Sequence, residues 1–249
     1  MSATPAPPVV LITGAAKRVG ARIARVLHQA GADVLLHYRS SRDEAEILAA
    51  QMNAARPGSC ACLQADLCDA AGLERLVATA IEHSGRLDAL VNNASSFFPT
   101  PIGSIDEAAW NNLVGSNLKG PLFLSQAAAP HLRVNRGAIV NITDIHAEWP
   151  LKNYPLYCVA KAGLLGLTRA LALELAPEVR VNAVAPGPIE WPEDGAFDAG
   201  ARAEIVKRTL LGRVGEPDDI ARTVRFLLFD APFVTGQVIN VDGGRSTRL

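Results

Sequence analysis

The sequence predicts an α/β fold built on a doubly wound parallel sheet of about seven strands, with helices on both faces. Three observations carry this expectation. Short runs that are apolar almost throughout, such as Pro8–Thr13 and Gly137–Thr143, suit strands covered on both faces. Stretches of helical length lie between such runs, so strands and helices alternate from the start and right-handed crossovers follow. Residues with chemistry to offer stand just past the predicted strand ends, where open α/β sheets bind their ligands.

A chain of 249 residues that is 49% hydrophobic can bury a sizeable core, and no repeat or Pro/Gly/Ser-rich linker divides it. One domain spanning 1–249 is expected, with 1–7 as a loose tail. The 24 basic and 25 acidic residues are spread along the chain, which argues against both a nucleic-acid footprint and a polybasic membrane surface. The expected partner is a small molecule or another subunit. Neither a secretory signal nor an apolar run of membrane-spanning length is expected. Cys60, Cys62, Cys68 and Cys158 show no paired Cys-x-x-Cys pattern, so core packing, no metal and a reducing, cytoplasmic setting are the expectations.

The first strand, Pro8–Thr13, leads into Gly14-Ala-Ala-Lys-Arg-Val-Gly20 and a helix that reaches Ala30, with Gly31 as its cap. In a strand, glycine turn and helix of this kind, glycines let backbone approach a pyrophosphate, and the helix N-terminus supplies amide donors and positive potential. Gly14, Arg18, Val19 and Gly20 are the first cofactor candidates. Arg18 adds a planar guanidinium suited to oxyanions.

The second strand, Asp33–His37, ends in His37-Tyr38-Arg39-Ser40. A site for NAD would place an acid here to hold the ribose 2′-hydroxyl. Arg39 and Ser40 suit a 2′-phosphate instead, with His37 and Tyr38 beside them, so NADP(H) is the expected cofactor. A helix over Arg42–Ala55 stops at Pro57-Gly58, and strand Cys60–Ala65 delivers Asp66 and Leu67. After a helix over Leu73–His83, the fourth strand delivers Asn92-Asn93-Ala94-Ser95. The loop that follows carries Phe97 and Phe98; an aromatic face there either walls a planar ligand or plugs the loop from below.

Asp106–Arg133 reads as a long helix, bent or broken by Gly115 and Gly120-Pro121, with Asn117 at the bend. Strand Gly137–Thr143 delivers Asp144, and the next helix carries Tyr157 and Lys161 and runs to Glu174. Four residues apart, Tyr157 and Lys161 share a face. A nearby ammonium favours the phenolate, which would ease proton transfer through the tyrosine. After strand Val179–Ala185, Pro186-Gly187 opens a flap, about 188–200, expected to close over substrate with Trp191 as an apolar lid. Helices over Ala199–Thr209 and Pro217–Leu228 precede a last strand within Gly236–Gly244.

Thr13-Gly14…Gly20, Asn92-Asn93-Ala94, Tyr157…Lys161, Pro186-Gly187 and Asp242-Gly243-Gly244, in this order over nearly the whole chain, resemble the short-chain dehydrogenase/reductase family. Arg18 replaces the middle glycine of that family's turn, and Ser95 replaces the glycine of its Asn-Asn-Ala-Gly. Within the family, Thr-Gly-Ala-Ala-Lys-Arg-Val-Gly, His-Tyr-Arg-Ser, Asn-Asn-Ala-Ser-Ser-Phe-Phe-Pro-Thr-Pro, and Asp144 where most members have serine, resemble the pteridine reductases. The resemblance implies NADPH-dependent reduction of pterins or dihydropterins, and of folates in some members. It implies that Tyr157 donates the proton, that Lys161 holds the nicotinamide ribose and tunes Tyr157, and that Asp144 orients or polarises Tyr157. Asp66 and Leu67 would lie at the adenine, and the Asn117 carbonyl would hold a water on the proton path. Phe97 would stack on the pterin, with Ser95 and Arg18 as polar contacts. A homotetramer is implied too, with Arg248 near a neighbour's site. A 3-oxoacyl-thioester or other ketone reductase, and a non-enzymatic NADP-sensing or scaffold protein, remain as alternatives.

Overall fold

The computed structural model describes residues 6–191 and 198–248, the last without its side chain. Seven strands form one sheet: β1 (Val9–Ile12), β2 (Asp33–Tyr38), β3 (Cys60–Gln64), β4 (Ala89–Asn92), β5 (Ala138–Ile142), β6 (Arg180–Pro186) and β7 (Val238–Val241). Every pairing is parallel, in the order β3-β2-β1-β4-β5-β6-β7. The order reverses between β1 and β4, which makes their carboxyl ends the crevice of the sheet.

The helices are α1 (Arg18–Gln29), α2 (Arg42–Ala55), α3 (Ala70–Ser84), α4 (Glu107–Val114), α5 (Gly120–Val134), α6 (Pro155–Leu175), α7 (Ala199–Arg208) and α8 (Pro217–Arg225). The strands read as continuous apolar runs because both faces are covered. Val10, Ile12, Leu36, Val91 and Val140 pack on one side with Ile23 and Leu27 of α1 and Val224 of α8. Their neighbours Leu11, Leu35, Leu90 and Ile139 face the other way, against Leu73 of α3 and Leu124 and Leu132 of α5.

The long helical region bends without breaking. A π-helical turn, Gly115–Lys119, joins α4 to α5. The two glycines bring this segment against the loop after β3: a Cβ on Gly115 would lie 2.8 Å from Cys68 Sγ, and one on Gly120 would lie 2.9 Å from the Leu67 carbonyl oxygen. One expectation needs correcting. Helix α6 is long and apolar enough, by length and composition alone, to cross a membrane. Half of that stretch is buried in the fold, and its inner face carries Lys161, so its apolarity is that of a core helix.

Two polar devices hold the parts of the crevice in register. At the ends of β1 and β4, Thr13 Oγ1 accepts the N–H groups of Asn93 (2.9 Å) and Ala94 (3.0 Å), and the Asn93 amide donates back to the Thr13 (2.9 Å) and Gly14 (3.1 Å) carbonyls. Deeper in, Asn92 Nδ2 donates to Asn141 Oδ1 (2.8 Å), and Asn141 Nδ2 donates to Thr168 Oγ1 on α6 (2.9 Å). That chain ties α6 to the middle of the sheet. Replacing Thr13 by Val keeps its shape but takes the acceptor from the Ala94 N–H and leaves the Asn93 N–H only the Val91 carbonyl at 3.1 Å, and should lower the unfolding free energy by about 2 kcal/mol in urea titrations. Thr13→Ser should lose far less; equal losses in the two variants would refute the clamp.

Candidate active site

A cleft of about 800 Å³ opens across the carboxyl ends of the strands, within the usual range for a small-molecule site. Its floor is the turn after β1. Gly14 has φ 61, and a Cβ there would stand 2.9 Å from Ala94 Cα; a Cβ on Gly20 would collide with the Gly14 carbonyl oxygen. Only glycine keeps this turn closed against β4 and leaves its backbone open to the cleft. Arg18 also takes a left-handed φ, 50°, which explains why glycine is the ordinary occupant. Its guanidinium reaches over the cleft: Nε lies 3.4 Å from Glu190 Oε2, and Nη2 donates to the Trp191 carbonyl at 3.5 Å.

At the end of β2, Arg39 and Ser40 are exposed at the cleft edge, and the Arg39 guanidinium makes no hydrogen bond or ion pair with any described residue. His37 behaves differently from a cationic neighbour of a phosphate. Gly14 N–H donates to its Nδ1 (3.2 Å), so Nε2 carries the proton and donates to the Ala65 carbonyl (3.1 Å). Burial pushes its pKa down to about 4. His37 is therefore a neutral brace beneath the glycine turn. Tyr38 is buried beside it with the Arg42 guanidinium 5.8 Å above its ring. Asp66 accepts the Cys68 N–H at 2.9 Å, and Leu67 is buried; both line the cleft.

The opposite wall comes from the loop after β4 and from α6. Ser95 Oγ donates to Asn117 Oδ1 (2.7 Å), and Asn117 Nδ2 donates to the Ser96 and Leu113 carbonyls, both at 2.9 Å. The π-turn is thus what brings Asn117 to this loop. Phe97 lines the cleft, parallel to Tyr154 with centroids 4.5 Å apart and edge-on to Tyr157 at 4.8 Å.

Asp144, at the end of β5, caps the short 3₁₀ turn Ile145–Ala147: its Oδ1 accepts the His146 N–H at 2.8 Å. Its Oδ2 accepts the Tyr157 hydroxyl at 2.7 Å. Lys161 is only 2% exposed, donates Nζ–H to the Ile142 carbonyl at 2.9 Å and stands 5.7 Å from the centre of the Tyr157 ring. The electrostatics correct one expectation. Burial, followed by the charge of Asp144 and its hydrogen bond, holds the Tyr157 pKa well above its ordinary value, with the Ser95 hydroxyl pulling the other way. In the free protein Tyr157 keeps its proton. Burial acts on Lys161 in the opposite direction, lowering its pKa to about 8, with Asp144 opposing the fall.

Beyond β6, Gly187 N–H donates to the Val241 carbonyl at 3.0 Å, and a Cβ there would meet Asp242 Cα at 2.6 Å. Asp242 accepts the Gly244 (2.9 Å) and Ser246 (2.7 Å) N–H groups, so Asp-Gly-Gly is a capped turn packed under Pro186-Gly187. Trp191 lines the cleft with the Arg202 guanidinium 5.2 Å from its ring. The expected flap includes 192–197, which lie outside the described residues, as does the Arg248 side chain.

The cofactor, catalytic and substrate candidates named from the sequence line this one cleft, except Asn117, which is fully buried and reaches it only through its hydrogen bond with Ser95. Sequence reasoning missed Glu190, Arg245 and Tyr154. Tyr154 precedes Tyr157 by one helical turn, a spacing that could have revealed it. Arg245 arrives from the C-terminal turn and donates to the Ile205 carbonyl at 3.1 Å, and no local pattern marks it.

The glycine turn whose missing side chains leave backbone open, the helix N-terminus behind it and the buried Tyr–Lys pair define an oxidoreductase of the dinucleotide-binding α/β class. A family profile described as enoyl-(acyl carrier protein) reductase matches residues 14–246. Pteridine reductase 1 of Leishmania tarentolae is 38% identical over 99% of this chain and 99% of its own. An uncharacterized oxidoreductase of Methylorubrum extorquens is 38% identical over 95% and 96%. The 3-oxoacyl-(acyl-carrier-protein) reductase of Staphylococcus aureus is 35% identical over 94% and 96%. The chain belongs to the short-chain dehydrogenase/reductase family, whose members use NAD(P)H.

The Lys161 shift has a sign that can be checked. Between its folded value of about 8 and its ordinary 10.5, the unfolded chain binds a proton that the fold has released, so stability rises with pH across this window. Relative to Lys161→Met, the wild type should gain about 2 kcal/mol between pH 8 and pH 10 in chemical denaturation. A difference that stays flat, or shrinks, would contradict the burial of a titrating lysine.

Proposed function

We propose that the protein reduces pterins or dihydropterins with NADPH, Tyr157 delivering the proton with the help of Asp144 and Lys161. The observation that carries this reading is the 2.7 Å hydrogen bond from the Tyr157 hydroxyl to a carboxylate. Identity alone does not separate the candidates, since a pteridine reductase and a 3-oxoacyl-thioester reductase match at 38% and 35%. The residue at position 144 favours the pterin. A carbonyl oxygen needs one proton on oxygen, which a serine beside the tyrosine can assist. A ring C=N bond must be protonated on nitrogen, and a carboxylate can take up and pass on protons through the tyrosine. The aromatic wall at Phe97 supports a flat substrate.

The residues present fit the cofactor. Gly14, Val19 and Gly20 leave backbone open for a pyrophosphate at the α1 N-terminus, and Arg18 can contact oxyanions. Arg39 and Ser40 would hold a 2′-phosphate, and the cleft edge there offers cation and hydroxyl with no competing partner for the guanidinium among the described residues. Asp66 and Leu67 would border the adenine, with Asn93, Ala94, Pro186 and Gly187 along the rest of the cofactor and Lys161 at the nicotinamide ribose. When bound, NADPH supplies the hydride. The chain supplies everything else: Phe97 and Trp191 exclude water, Ser95 and Arg18 offer polar contacts, and Tyr157 holds its proton until the ring nitrogen takes it.

The reading extends to a reducing, cytoplasmic setting, which the four free cysteines support, and to a single-domain subunit of a homotetramer. Exposed Trp110, Leu122, Phe123, Val159 and Leu173 on α4, α5 and α6 support subunit contacts.

An NADPH-oxidation panel of biopterin, dihydrobiopterin, dihydromonapterin, dihydrofolate and a 3-oxoacyl thioester tests the substrate. A dihydropterin should be turned over fastest; preference for the thioester would overturn the proposal. Asp144→Ala should lower kcat on the pterin about 100-fold while NADPH affinity stays within about twofold. Arg39→Ala should weaken NADPH about tenfold and leave NADH unchanged, as judged by the KM for each.

A further inference from the structure

We propose that Tyr154 is a positioning residue: it fixes the Phe97 wall at one distance from Tyr157 and so sets the slot that a planar substrate enters. The inference rests on the pterin reading. Three rings form a chain, with Tyr154 nearly parallel to Phe97 (10° between planes) and Phe97 almost perpendicular to Tyr157 (82°). Phe97 lines the cleft and Tyr154 does not, so Tyr154 backs Phe97 from behind.

The loop bearing Phe97 needs such support. A phenyl ring has no hydrogen bond to fix its rotamer, and only packing can hold it. Tyr154 and Tyr157, by contrast, sit at the start of α6, where Cys158 N–H donates to the Tyr154 carbonyl at 3.0 Å and Lys161 anchors the next turn on Ile142. A second tie joins the same two segments. Thr100 N–H donates to the Asn153 carbonyl at 2.7 Å, and Asn153 presents that carbonyl from a left-handed conformation, φ 71. The aromatic wall and the proton donor are therefore referenced to one helix end, by a ring stack at Tyr154 and a hydrogen bond at Asn153.

Removing the Tyr154 ring leaves space behind Phe97 into which it can recede, so a flat ring in the cleft loses its close contact on that side. The cofactor face, built from the turn after β1 and the end of β2, is untouched. In steady-state assays with dihydrobiopterin, Tyr154→Ala should raise KM about tenfold, with a smaller change in kcat. NADPH affinity by fluorescence titration should remain within about twofold of wild type, and Tyr154→Phe should restore the KM. Asn153→Gly, suited to φ 71, should behave as wild type, whereas β-branched Asn153→Val should raise the KM. The effect must act through Phe97, so in a Phe97→Ala background Tyr154→Ala should cause little further rise.

An unchanged KM in Tyr154→Ala, a KM rise undiminished without Phe97, or a parallel loss of NADPH affinity would each overturn the positioning role. A wild-type enzyme that neither binds nor reduces dihydrobiopterin would overturn the substrate reading, and this inference with it. A wild type active on dihydrobiopterin with an indifferent Tyr154→Ala would overturn the positioning role alone.

Discussion

A tyrosine hydroxyl and a carboxylate share a hydrogen bond inside a site that also buries a lysine, and much of the molecule serves to make that tolerable. Tyr157 is 5% exposed and Lys161 2%, so neither has bulk water to stabilise a charge. Each responds in the way desolvation dictates, the phenol holding its proton and the ammonium releasing its own more readily. Asp144 opposes the second effect and reinforces the first. The result is a tyrosine that keeps its proton in the free protein.

That arrangement depends on parts far apart in sequence. Asp144 ends β5, Tyr157 and Lys161 belong to α6, and Phe97 and Ser95 come from the loop after β4. The buried Asn92–Asn141–Thr168 chain and the Thr13–Asn93 clamp hold these pieces in register. Since polar groups buried this deeply destabilise the fold when left unpaired, they fix one register where apolar packing would allow several. The π-turn at Gly115–Lys119 adds a local distortion with a purpose: it aims Asn117 at the loop whose serine stands beside the tyrosine.

The architecture was legible in the sequence because strands covered on both faces are largely apolar and helices alternate with them. The glycine turn, Asn93, Asp144, Tyr157 and Lys161 were legible because chemistry at strand ends leaves short patterns. What escaped was set by three-dimensional approach. Whether Tyr157 rises or falls in pKa depends on the 2.7 Å contact to Asp144 and on burial, and spacing along a helix reveals neither. His37 stood in the sequence only as a neighbour of the cofactor phosphate, and it is a neutral brace because the turn after β1 folds over it. Tyr154 carried a helical-spacing signal, yet its stack on Phe97 joins segments 57 residues apart. The length and apolarity of α6 exceeded what the sequence suggested, and its buried lysine on the Ile142 carbonyl marks it as a core helix.

In functional terms, short-chain dehydrogenase/reductase relatives with different activities share this frame, and position 144 and the Phe97 wall are what the pterin proposal rests on. The central claim is that Asp144 holds the Tyr157 proton. Ultraviolet titration of tyrosinate in the free enzyme, with Tyr157→Phe as the reference, tests it most directly. Tyr157 should remain un-ionised past about pH 10 in the wild type and should titrate at a lower pH in Asp144→Asn. Ionisation of Tyr157 well below pH 10 in the wild type, or a titration indifferent to Asp144, would contradict it.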